Sequence, residues 1–228
     1  MNFDCYLFDF DNCLLEIPNT FHYFNNVLLD TLRNLNLNHI PSKKERNEFW
    51  FSNENYINLL KSWGIENEPS FWSTFDRVDF EKRKNFLAKR RITLYDDVMP
   101  VLETLRESNK YLGIISNTAE YVVRYIMEEL DIIDFFHYIF GMGNNRNQDM
   151  AKPSPYGILM TLENLSCQKE LSQVLMIGDS SADILAAKRA KVNSCLILRE
   201  SDKFQSGYSN WEYKPDFIIN DLREILNI

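Results

Sequence analysis

A three-layer, Rossmann-like α/β fold, with a parallel sheet core and an inserted helical domain, is predicted by three features of this 228-residue chain. From about Tyr111 onward, short apolar runs alternate with segments of helical period, the rhythm of parallel strands joined by crossover helices. Most of these runs are apolar throughout rather than alternating, as strands buried on both faces are. Between Ile17 and about Leu94 the rhythm stops, and helical patterns rich in Asn, Phe and Trp take its place. At 45% hydrophobic residues, the composition is ample for a buried core.

The first expected strand is CYLFDF, Cys5–Phe10. After it the chain leaves for three or four consecutive helices, so the core comprises residues 1–16 and 95–228 and the insert residues 17–94. Tyr111–Asn117, His137–Gly143, Gln173–Asp179, Ser194–Glu200 and Pro215–Asp221 are the later strands. Between them VMPVLETLRESN, TAEYVVRYIMEEL, PYGILMTLENL and SADILAAKRAK carry apolar residues at helical spacing. Ser116, Asn117 and Thr118 read as an N-cap for the second of these helices, and such an N-terminus is also an anion site. In the insert, Trp50, Trp63 and Trp72 with Phe49, Phe51, Phe71 and Phe75 read as its own core. The runs Lys82, Arg83, Lys84 and Lys89, Arg90, Arg91 read as a solvated helix face.

A net charge of −8 argues against a protein that tracks nucleic acid or anionic lipid over a broad surface. The four cysteines, Cys5, Cys13, Cys167 and Cys195, show no metal-ligand spacing and read as free thiols in a reducing compartment. No basic region precedes an apolar stretch at the start, and no apolar run approaches the roughly 18 residues of a membrane span. A soluble, cytoplasmic protein is expected.

Chemistry gathers at the ends of the expected strands, where open parallel sheets bind ligands. Asp9 and Asp11 follow the first strand in FDFDNC, Ser116 and Asn117 follow the second, and Asp179 follows the fourth. Lys152 lies in AKPSP, where Pro153 and Pro155 fix a loop. Asp183 sits one helical turn beyond Asp179. Four carboxylates and one ammonium in a small space call for a hard cation with oxygen ligands, and Mg²⁺ with a substrate phosphate would balance the charge. Zinc is disfavoured because His22, His39 and His137 lie away from these motifs.

The ordered quartet DFDNC, ISNT, AKPSP and GDSSAD resembles the four motifs of the haloacid dehalogenase superfamily, whose members are mostly Mg²⁺-dependent phosphatases. The insertion point resembles that family's helical C1-type cap, as in its phosphoglycolate phosphatase and β-phosphoglucomutase branch. The resemblance implies that Asp9 attacks phosphorus to form an aspartyl-phosphate, and that Asp11 protonates the leaving group and then activates water. It implies phosphate contacts from Ser116, the Asn117 amide and Lys152. Mg²⁺ would be held by Asp9, the Asp11 backbone carbonyl and Asp179, with Asp183 orienting a metal water or Lys152. The implied partner is a small phosphorylated metabolite (phosphoglycolate, a sugar phosphate or a nucleotide), acted on by a monomer or homodimer. The cap would open and close on hinges at 16–18 and 91–96.

A phosphomutase uses the same intermediate and is the nearest alternative. A dehalogenase has no use for Asp11, Asp179 and Asp183 together, and a non-catalytic binding module would tolerate losing the nucleophile or the acid; here none is lost. One departure stands out: Cys13 occupies a position where the family favours Thr or Val.

Overall fold

Cys5–Phe8 forms the first strand, β1, and all four residues are buried, as a central parallel strand requires on both faces. The computed structural model describes residues 3–37, 39–50, 55–143, 148–167, 170–199, 208 and 211–228. In chain order the elements that follow are β2 (Leu15–Glu16), α1 (Thr20–Asn34), α2 (Lys43–Phe49), α3 (Tyr56–Ser62), α4 (Glu68–Ala88) and β3 (Thr93–Leu94). Then come α5 (Val98–Glu107), β4 (Tyr111–Ala119), α6 (Glu120–Glu129), β5 (Tyr138–Met142), α7 (Tyr156–Asn164), β6 (Val174–Gly178), α8 (Ser181–Ala190), β7 (Asn193–Ile197) and β8 (Phe217–Ile219). The chain divides into two compact units, residues 1–16 with 93–228 and residues 17–92.

The first unit is an α/β sheet domain. Among the described residues its main sheet has six strands in the order β5-β4-β1-β6-β7-β8, every pairing parallel. The chain runs outward from β1 through β4 to β5, then returns to the other flank of β1 at β6, which places the reversal of strand order at β1. Helices supply apolar stripes at the expected period: Val98, Val101, Leu102 and Leu105 on α5, and Val122, Val123, Ile126 and Met127 on α6, are all buried. Thr93 and Leu94 pair antiparallel with Glu16 and Leu15 and so belong to the sheet unit rather than to the insert.

Several expected ends move. β1 stops at Phe8 because the chain turns at once: the amides of Leu14 and Leu15 both donate to the Phe10 carbonyl, at 3.1 and 2.9 Å. Asn12 takes the left-handed φ of 55° that such a turn needs. β4 runs on to Ala119 through a register shift after Ile115. Thr118 is therefore strand, and α6 is capped at Ala119 with no side-chain bond, not by Ser116, Asn117 or Thr118. Of the strand expected at Ser194–Glu200, β7 covers Asn193–Ile197, while Glu200 lies outside the described residues.

The second unit is helical. Tyr23, Val27, Leu28 and Leu32 of α1 and Phe71, Phe75 and Val78 of α4 are buried in it. Phe49 is the hub of an aromatic cluster, with ring centroids of Trp50, Tyr56, Trp63, Phe71 and Trp72 between 5.2 and 6.1 Å away. The expected Phe51 lies outside the described residues. Arg83 departs from its expected solvated face. It is fully buried, its Nε 2.8 Å from Asp79 Oδ2, with the Tyr23 hydroxyl donating to Asp79 Oδ1 at 2.7 Å. Arg83 pairs at i, i+4 along α4, and the aromatic faces of Tyr23 and Phe24 lie within 5.8 Å of its guanidinium. Among the described residues no helix is long and apolar enough to cross a membrane.

Candidate active site

Three adjacent strands, β4, β1 and β6, deliver their C-terminal ends to one edge of the sheet. Asp9 follows β1 and its amide donates to the Ile177 carbonyl of β6 at 2.8 Å, so the carboxylate is set by sheet pairing rather than by a free loop. Asp179 follows β6, and Ser180 caps α8. Asp183, in the first turn of α8, accepts through Oδ2 from the amide of Ser180 at 3.0 Å and from its hydroxyl at 2.5 Å. Gly178 makes room for this: a Cβ there would lie 2.2 Å from Asp183 Cγ, so a side chain at the strand end would expel the carboxylate.

Lys152 reaches into this group from the loop before α7. Its Nζ stands 2.6 Å from Asp9 Oδ1 and 2.6 Å from Asp183 Oδ1. Asp9, Lys152, Asp179 and Asp183 are all buried, as is Ser116. Asp9, Asp179 and Asp183 each offer an oxygen within 4.8 Å of the others. The structure thus brings Asp9, Lys152, Asp179 and Asp183 together, as their spacing in the sequence suggested. Asp11 is held separately: its Oδ2 accepts from the Thr118 hydroxyl at 2.7 Å. The two close carboxylates of FDFDNC therefore have different partners, an ammonium for Asp9 and a hydroxyl for Asp11.

Burial pushes the Asp9 carboxyl well above the ordinary range; the Lys152 charge opposes this, and the charges of Asp183 and Asp179 reinforce it. Burial pulls the Lys152 ammonium the other way, but Asp183 and then Asp9 outweigh it and raise its affinity for the proton. Among the described residues, the Lys152 ammonium meets Asp9 and Asp183, and Asp179 adds a third buried carboxylate to the group. Its all-oxygen donor set, with Asp183 already committed to Lys152 and Ser180, fits a hard divalent cation held by Asp9 and Asp179 and does not fit zinc.

Two contributions were not visible in the sequence. The side chain of Asn117 clamps the main chain of Lys152: Nδ2 donates to the Lys152 carbonyl at 3.0 Å and Oδ1 accepts from the Lys152 amide at 2.7 Å. Thr118 holds Asp11 and donates its own amide to Ser116 Oγ at 3.1 Å. In the sequence Ser-Asn-Thr reads as a helix cap, and no spacing rule announces partners 35 and 107 residues away. Cys13 is fully buried with its thiol 3.7 Å from the Ile177 carbonyl. Burial, then the charge of Asp9, pushes that thiol well up, which makes it a packing group rather than a nucleophile.

The sequence model of the family described as haloacid dehalogenase-like hydrolase matches residues 6–197. The pyrophosphatase PpaX of Oceanobacillus iheyensis is 27% identical over 191 residues, 78% of this chain and 81% of the relative. The phosphoglycolate phosphatase of Aquifex aeolicus is 31% identical over 134 residues, covering 59% of this chain and 58% of its own length. Among solved structures, CbbY from Rhodobacter sphaeroides in complex with phosphate superposes with a TM-score of 0.71 at 16% identity, over 98% of this chain and 96% of its own. A HAD phosphatase from Thermococcus onnurineus gives 0.63 at 24% identity, over 98% and 96%. At these identities the two structures establish likeness of fold.

Proposed function

The chain belongs to the haloacid dehalogenase-like hydrolase family, and we propose that within it the protein hydrolyses the phosphomonoester of a small metabolite, with Mg²⁺ as cofactor. The observation that carries this reading is the buried Lys152 ammonium, 2.6 Å from Asp9, in a cluster of three buried carboxylates. Phosphoryl transfer needs little covalent machinery and much electrostatic positioning, and that is what this edge of the sheet offers. The names of the relatives, phosphoglycolate phosphatase and pyrophosphatase, support a phosphate compound as substrate.

In this reading Asp9 attacks phosphorus through the carboxylate oxygen not engaged by Lys152. The P–O bond to the leaving alcohol breaks as the Asp9–phosphorus bond forms, and Asp11 gives its proton to the departing oxygen. Asp11, now ionised, takes a proton from the water that hydrolyses the aspartyl-phosphate. The Thr118 hydroxyl donates to Asp11 and helps fix its carboxyl for that exchange. Lys152, Ser116 and the Asn117 amide hold the phosphoryl oxygens. Asp9, Asp179 and the Asp11 carbonyl would hold Mg²⁺, which neutralises the phosphate dianion against the attacking carboxylate when bound. Asp183 fixes Lys152, and the helical insert acts as the cap that selects the substrate.

Release of phosphate from p-nitrophenyl phosphate tests the class. Wild-type protein is expected to turn over with Mg²⁺ and stop with excess EDTA, and Asp9→Asn is expected to be inactive. Wild type silent with Mg²⁺, or Asp9→Asn as active as wild type, would overturn the reading.

A further inference from the structure

Arg199, just past β7, plays no part in the four motifs, yet it is one of the most heavily engaged side chains of the sheet unit. Its Nη1 and Nη2 meet both oxygens of Asp97, at 2.6 and 2.8 Å. Its Nε and Nη2 also donate to the backbone carbonyl of Cys13, at 3.1 and 2.9 Å. The guanidinium lies 4.0 Å over the Tyr95 ring, and the side chains of Arg199 and Asp97 are only 6% and 5% exposed. Asp97 is completed by the Leu222 amide at 2.7 Å.

The carbonyl that Arg199 holds belongs to the turn between Asp11 and Leu15. That turn closes through Asn12 to the Leu15 carbonyl at 2.7 Å, and Tyr95 returns to it by donating its amide to Leu14 at 3.1 Å. Arg199 therefore ties the residues right after Asp11 to the segment through which the chain re-enters the sheet unit. A buried ion pair costs desolvation that hydrophobic packing would avoid, and here it comes with a fixed geometry: the guanidinium bridges Asp97 and the Cys13 carbonyl. A planar fork that addresses a carboxylate and a carbonyl at once is a task for Arg and not for Lys.

We propose that Arg199 is a positioning residue: through the Cys13 carbonyl it fixes the turn that carries Asp11, and thereby the proton-transfer geometry of the site. The catalytic half of this proposal rests on the phosphatase reading above; the structural half does not. Cys13 then matters through its main chain, which any small residue would supply.

The test combines hydrogen exchange with kinetics on Arg199→Lys and Arg199→Met. Amides of residues 10–16 are expected to exchange about tenfold faster in Arg199→Lys, while those of Val174–Gly178 keep the wild-type rate. On p-nitrophenyl phosphate with Mg²⁺, kcat is expected to fall about tenfold in Arg199→Lys and about a hundredfold in Arg199→Met, with KM within about twofold of wild type. Unchanged exchange at 10–16 in Arg199→Lys overturns the proposal, and so does faster exchange with wild-type kcat. Arg199→Lys keeps the charge and decides the matter should Arg199→Met fail to fold. Wild type without activity would defeat the phosphatase reading and the catalytic half with it, while the exchange data would still decide whether Arg199 holds the turn.

Discussion

Replacing Lys152 with Met removes the only ammonium in contact with Asp9 and Asp183 among the described residues and leaves the aliphatic stem nearly intact. The Lys152 side chain is 5% exposed, and Asp183 is fully buried. Breaking one side of a buried ion pair typically costs about 3–5 kcal/mol, because the stranded charge keeps its desolvation penalty. Here two carboxylates are stranded beside Asp179, which puts the expected loss at the upper end of that range. For a chain of this size each kcal/mol lowers the melting temperature by about 2–4 °C, so the sheet unit should melt roughly 10–20 °C lower. Calorimetry measures the loss, with hydrogen exchange of Val174–Gly178 reporting on the sheet unit. Mg²⁺ should stabilise Lys152→Met more than wild type, since a cation that binds the folded state supplies the missing charge through mass action. Adding Asp183→Asn should return part of the stability, because it removes one of the two stranded charges. A Lys152→Met protein that melts within about 2 °C of wild type in the absence of divalent cation would refute the reasoning, since the buried cluster would then not depend on its ammonium.

Asn117→Ala removes two hydrogen bonds to the Lys152 main chain, together about 2 kcal/mol, and should lower kcat by about thirtyfold with little change in KM; steady-state kinetics decides. In the insert, burial and then the charge of Asp79 push the Asp76 carboxyl up to about 7 from its ordinary 3.8. The folded state thus keeps a proton that the unfolded state releases. The contribution of Asp76 to stability should be full below about pH 4, fall by up to about 4 kcal/mol as pH rises to 7, and change little above that. Asp76→Asn should abolish this slope in melts taken from pH 4 to 8. Cys13→Ala should keep full activity within about twofold, and native protein should leave Cys13 unlabelled by iodoacetamide, as expected of a buried thiol with a raised pKa.

Much of the sheet unit was legible because its signals are local. CYLF, YLGII and VLMIG are apolar on both faces, and that pattern belongs to parallel strands whatever surrounds them. GDSSAD placed Ser180 and Asp183 on one turn of helix, and the structure keeps them there. Asp9, Lys152, Asp179 and Asp183 could be grouped because strand ends in such a sheet share one edge. Arg83 was misread for a related reason: a basic triplet on a helix looks solvated until Tyr23 and Asp79 arrive to bury and pair its central member.

What tertiary structure alone decided is which partner each polar group takes. The sequence determines that Asp9 and Asp11 lie two residues apart after an apolar strand; it does not determine that one meets Lys152 and the other Thr118. Ser116, Asn117 and Thr118 have side chains short enough to cap a helix or to bond across the fold, and the choice depends on how far β4 runs before its register shifts. Arg199, Asp97 and the Cys13 carbonyl are separated by 102 and 186 residues along the chain and become one network only when β7, α5 and the turn after β1 are packed. Periodicity and motif spacing report what lies within a turn of helix or a strand, whereas hydrogen-bond partners are assigned by distances of a few ångströms that only the folded chain defines.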